Sequence, residues 1–220
     1  MSTTTVLPAA MTDRTSTLLA ALKQQGKKNR AGEWFRHDMF PDIGSLHPQE
    51  PVIVRTSLAI RTMLRAMTDE KNSRTTGSYE ISAGELIVGV LPMGSNGLGK
   101  VFPSYLTDVE RRAARLTNRT EMSLLGHNSA NYERLVQKGI RGILAICDQK
   151  SAEASARIAA NTTKRDDPTS LDFYRAVRIA CEAVVEYAGR FADLARDLAA
   201  KESDKQRRDN RKRAGNHELL

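Results

Sequence analysis

Four histidines and two cysteines are the residues of this chain best suited to reactive chemistry. His37, His47 and His217 fall in polar arms or tails, and no two histidines have metal-ligand spacing, so no zinc site is expected. His127 stands apart. It follows Gly126 and precedes Asn128 and Ser129, which can cap a helix beginning near Asn131. An imidazole there meets the positive end of a helix dipole, which favours its neutral form. A neutral imidazole can donate to, or accept from, a substrate hydroxyl; by spacing alone a plain loop histidine is the commoner case. Cys147 and Cys181 form no CxxC pair and lie among apolar neighbours in helical patterns. Buried, inert thiols are expected there, with neither a disulfide framework nor a cysteine protease.

Residues 94–100, Gly-Ser-Asn-Gly-Leu-Gly-Lys, match the opening of a phosphate-binding loop and follow a strand-like run. The match fails where the chemistry is most demanding. Val101 stands where a hydroxyl must reach magnesium, and Pro103 follows before a helix can present its amino terminus to phosphates. A tight structural loop is the better reading.

The elements that must hold these residues are mainly helical. Residues 52–67 place Val54, Leu58, Leu64 and Met67 at helical spacing, with Arg55, Arg61 and Arg65 between them. A turn near Tyr79 leads to a short buried strand, Leu86-Ile87-Val88, and a β element is expected near 86–90. Residues 105–115 read as a helix, as do 131–148. Residues 150–168 begin helical and end as a loop. Phe173, Val177, Ala180, Val184, Tyr187, Phe191, Leu194 and Leu198 then recur in steps of three and four. They draw one apolar stripe on a helix of about 30 residues, capped by Ser170. Residues 1–50 read as a partly ordered extension, with a short helix over 12–25 bearing Leu18, Leu19 and Leu22. Trp34, Phe35, Met39 and Phe40 are positioned to anchor that extension on the body.

Composition bounds the rest. With 40% hydrophobic and 27% charged residues among 220, the chain is of a globular class able to bury a core. No apolar run is long enough to span a membrane, and the first 25 residues hold no secretory pattern, so a reducing cytoplasm is expected. The net charge is +8, much of it in residues 201–220, where seven Lys or Arg meet four Asp or Glu. Aromatics are 5% and none interleaves with that tail, so a solvated, frayed end is expected rather than a nucleic-acid surface. A nucleic-acid binder would show affinity falling steeply with salt, and a non-catalytic helical interaction protein would be a stable monomer with a closed core.

Several segments in order resemble the amino-terminal region of the glycyl radical enzymes related to pyruvate formate-lyase. They are Glu50-Pro-Val-Ile-Val-Arg55; Ile81-Ser-Ala-Gly-Glu-Leu-Ile-Val-Gly89; Val101-Phe-Pro103, with Ser104 in place of the family's Glu; and Gly126-His-Asn-Ser-Ala-Asn-Tyr132 with Lys138-Gly139. Asp172-Phe-Tyr-Arg-Ala, Tyr187-Ala-Gly-Arg-Phe-Ala192 and Ala199-Ala-Lys-Glu202 continue the series. The resemblance covers about 50–208, leaves 209–220 as a divergent basic tail, and implies the helical amino-terminal part of a ten-stranded α/β barrel.

It also implies a lyase whose stored glycyl radical, installed by a radical SAM activating enzyme, generates a thiyl on a central-loop cysteine. Neither Cys147 nor Cys181 matches that cysteine and no radical-glycine loop occurs, so the chain alone is expected to be inactive and to bind no cofactor. His127 falls at the family's substrate-contact position, where relatives acting on carboxylates carry Arg and choline lyase-like ones can carry Asp. A histidine there implies a diol or polyol dehydratase; choline trimethylamine-lyase-like and formate acetyltransferase-like members are the alternatives. The resemblance further implies a homodimer when complete, a cytoplasmic setting in anaerobic metabolism, and a bacterial microcompartment lumen for some members, addressed by residues 1–50.

Overall fold

The computed structural model describes residues 40–71, 79–81, 102–117 and 131–215, with isolated helical positions between 13 and 20. Among the described residues the helices are, in order, α1 (Ile43–Leu46), α2 (Val52–Met67), α3 (Asp108–Leu116), α4 (Tyr132–Ala159), α5 (Asp167–Ala200) and α6 (Lys205–Gly215). The β element expected near 86–90 and the glycine loop at 94–100 lie outside the described residues, as do Leu18, Leu22, Trp34, Phe35 and Met39. Among the described residues no helix is long and apolar enough to cross a membrane.

At 34 residues, α5 spans about 51 Å and is the spine on which α2, α4 and α6 pack. The expected stripe is only partly its buried face. Phe191 is buried, but Phe173 and Val184 are 48% and 36% exposed. The residues turned fully inward are Ala176, Ala183, Ala195 and Ala199, small enough for neighbouring backbones to come close. Against Ala176 and Ala183 α2 brings Val54, Leu58, Leu64 and Met67, and Phe40, Ile43 and Phe102 close the same core. Phe40, just ahead of α1, is part of that core. A second cluster joins Ile81 to Phe191 and Ala195, with Tyr79 set edge-on to Phe191 at 5.0 Å.

The bounds of α2 are those its periodicity predicts, with one inversion. Arg55, expected on the outer face, is 2% exposed. Its Nε donates to the Tyr105 carbonyl at 2.8 Å and its Nη1 to the Glu50 carbonyl at 2.8 Å, while Nη2 pairs with both carboxylate oxygens of Glu110. Glu110 also completes a capping box with Thr107, so α3 starts at Asp108 rather than at Tyr105. The Tyr105 carbonyl, ahead of that helix, accepts from Arg55. Gly44 is required nearby: a Cβ would sit 2.1 Å from the Leu106 carbonyl oxygen.

Between α4 and α5 the chain reverses at Asn161, whose φ of 54° is one asparagine tolerates. Asp167 begins α5 ahead of Pro168, three residues before the expected cap at Ser170; proline suits a first turn, where its missing N–H bonds nothing. The Asp167 carboxylate accepts from Arg157 at 2.6 Å and from the Lys164 backbone N–H at 2.8 Å. The tail is not frayed over its described part. α6 folds back on α5, Arg196 donates to the Gly215 carbonyl at 2.7 Å, and Arg211 pairs with Glu202 at 2.9 Å. Polar composition had suggested solvent; paired charges allow docking instead.

Two outcomes follow from these contacts. Arg55→Ala leaves two carbonyls and a carboxylate without their donor, and should lower the urea unfolding free energy by about 3 kcal/mol. Arg157 and the Lys164 amide hold the Asp167 carboxyl down to about 2, from an ordinary 3.8. The folded value lies below the unfolded one, so its stabilisation is intact above about pH 4 and fades as pH falls towards 2. Asp167→Asn should flatten that acid limb in a circular dichroism titration.

Candidate functional site

His127 lies outside the described residues, between the end of α3 and the start of α4. The flank that follows it is defined. Asn131 is the cap of α4, its Oδ1 accepting from the Arg134 N–H at 2.9 Å; Asn128 and Ser129, expected as caps, lie outside the described residues. Nor does α4 run straight: Gly139 has φ 64° and ψ 175°, a conformation open essentially to glycine alone. No atom lies within 4 Å of where a Cβ would stand, so backbone geometry and not space calls for glycine.

The bend builds a cavity of about 510 Å³ between α4 and α5. Asn131, Arg134 and Leu135 line it from before Gly139, and Ile143, Ile146, Cys147 and Lys150 from after it. Phe173, Tyr174 and Val177 complete it from α5. The wall is chiefly apolar, and charge enters at Arg134 and at Lys150, which pairs with Glu153 at 2.8 Å. Reading 131–148 as one uninterrupted helix hides this site. Its signal was the glycine inside an otherwise regular apolar pattern.

Both cysteines are free thiols on the facing helices, Cys147 buried and Cys181 half-buried. Burial pushes both thiols above their ordinary 9.0; Arg178 and Arg134 oppose this at Cys147, whereas Cys147 adds to it at Cys181. Neither is set up as a thiolate. His47 closes the end of α1 through its backbone N–H. Among the described residues no three His, Cys, Asp or Glu side chains gather to hold a metal.

Residues 93–213, which include α3 to most of α6, match the pyruvate formate lyase-like family model. The chain belongs to that family. The Escherichia coli (strain K12) protein named "Probable dehydratase YbiW" is 37% identical over 83 residues, 38% of this chain and 10% of that relative. The isethionate sulfite-lyase of Desulfovibrio desulfuricans is 36% identical over 74 residues, 34% of this chain and 8% of that enzyme. In fold the chain resembles the glycerol-bound B12-independent glycerol dehydratase from Clostridium butyricum, with a TM-score of 0.62 at 18% identity. That likeness covers 94% of this chain and 30% of the dehydratase. The chain thus has the fold of the helical amino-terminal portion of a pyruvate formate lyase-like barrel, and spans less than a third of the solved enzyme.

The raised thiols have a direct readout. At pH 7.5 Cys147 and Cys181 should react with iodoacetamide at least about tenfold more slowly than free cysteine, with rates still climbing above pH 9. Rapid labelling at neutral pH would contradict the burial described.

Proposed function

We propose that this chain is the helical portion of a glycyl radical lyase whose complete form dehydrates a diol or polyol, with His127 lining the substrate pocket. The family match over residues 93–213, which includes the Gly126–Tyr132 motif, carries this reading. The glycerol dehydratase fold and the dehydratase relative favour the substrate class. The sulfite-lyase relative keeps other carbon–heteroatom substrates as the alternative, alongside choline- and formate-type chemistry.

In the complete enzyme a glycyl radical installed by a radical SAM activating enzyme would supply the hydrogen-abstracting thiyl. The thiols of this chain do not fit that role: both are raised by burial and sit within helices. No step is assigned to them. In sequence His127 precedes the Asn131 cap of α4 by four residues, and its imidazole is taken as neutral in this proposal. Such a ring offers one donor and one acceptor to vicinal hydroxyls without fixing a charge beside an uncharged substrate. As one nitrogen takes the proton of the hydroxyl that is kept, the other N–H can pass its proton to the hydroxyl that leaves as water, so the ring stays neutral. Homodimerisation and, through residues 1–50, delivery to a microcompartment lumen belong to the same proposal.

A complete enzyme containing this segment tests it. His127→Ala should lower kcat/KM for propane-1,2-diol by about 100-fold or more, while choline, pyruvate and isethionate remain poor substrates for the parent. Unchanged diol kinetics would remove His127 from the pocket. The isolated 220-residue chain should turn over no diol, and turnover by it would refute the fragment reading.

A further inference from the structure

Two helices leave an apolar surface uncovered where α4 bends. Leu135 and Val136, on the short segment before Gly139, are 37% and 84% exposed, and Phe173 across the cavity is 48% exposed. A glycine-only backbone conformation holds this surface open instead of letting α4 lie flat along α5. At its edge Arg134 lines the cavity and makes no ion pair among the described residues, whereas Arg178 nearby is paired with Asp148 and Glu182. The Arg134 charge reaches the cavity floor, where it opposes the rise of the Cys147 thiol. The surface thus combines an apolar socket with one cation lacking its anion.

The fold comparison supplies the occupant. This chain aligns over 94% of its own length but accounts for 30% of the dehydratase, leaving 70% of that polypeptide without a counterpart here. We propose that the cavity at the α4 bend seats an amphipathic helical segment from that remaining polypeptide, apolar towards Ile146, Phe173 and Val177, with a carboxylate opposite Arg134. The inference rests on the reading of this chain as one portion of a larger lyase and names the surface through which the portions join. Burial of the exposed residues drives the docking, and the charge pair sets its register.

The full 220-residue chain can be titrated with a fluorescein-labelled synthetic helix of about 18 residues, about five turns, bearing a leucine stripe and one central Glu. A sister peptide carries Lys in place of that Glu. Fluorescence anisotropy should show the Glu peptide binding about tenfold more tightly than its sister. Arg134→Glu, at an exposed position, should reverse that order, and Val177→Trp, which fills the socket, should weaken both peptides. Equal affinities, no binding of either peptide, or indifference to both substitutions overturns the proposal. So does a chain dimer in sedimentation that Phe173→Asp dissolves, because the occupant would then be a second copy. None of these readouts depends on diol turnover, so this inference and the dehydratase reading can fail separately.

Discussion

A guanidinium taken out of water must have its charge and its donors answered, and at Arg55 that requirement organises the front of the molecule. The side chain gathers the carbonyl of Glu50, five residues ahead of it, with the carbonyl of Tyr105 and the carboxylate of Glu110, 50 and 55 residues further on. Glu110 accepts from Arg55 while it closes the capping box of α3, so the start of that helix and the seat of the arginine are one arrangement. The stretch from Ser104 to Thr107 is thereby held beside α1, where the Ile43 N–H donates to the Ser104 carbonyl at 2.8 Å. Arg111 reinforces it by pairing with Asp42.

The spine α5 is gripped along its length by comparable pairs. Glu50, just ahead of α2, takes Arg175 in a two-point bond, and Arg65 at the far end of α2 meets Glu186 at 2.9 Å. Arg190 donates to the Thr68 hydroxyl at 2.9 Å as α2 ends. Each pair is partly exposed and contributes little alone. Together they fix the rotation of α5 about its axis, which decides that alanines meet α2 while Phe173 and Val177 meet the cavity.

Much of this was legible in the residues. The 3.6-residue period of α2 marked its bounds because its apolar face is strong over residues 54–67; the structure sets the ends at Pro51 and Thr68. The family was legible from ordered motifs, and the structure and relatives agree with it. The burial of Arg55 was not legible, because arginine between apolar positions ordinarily lies outside, and two of its partners, Tyr105 and Glu110, lie 50 and 55 residues along the chain. The stripe on α5 misled for a related reason: alanine carries a weak hydrophobic signal yet packs closest. The bend at Gly139 was invisible to a period count because one glycine leaves the spacing of its neighbours intact. The docking of α6 escaped because charged residues paired within a fold have the same composition as charged residues in water.

The inward alanines of α5 have a consequence for how this layer could change over time. Where one helix offers only methyl groups, the larger side chains of its neighbour, here Leu58, Leu64 and Met67, can reach its backbone. Alanine gives up no rotamer freedom when it is enclosed, so such a seam forms with little ordering cost. It also leaves no slack. A longer side chain at Ala176 or Ala183 would have nowhere to swing and would wedge the two helices apart along their shared length. Drift at this seam is therefore confined to the smallest residues, while the rim around Phe173 is free to vary in size.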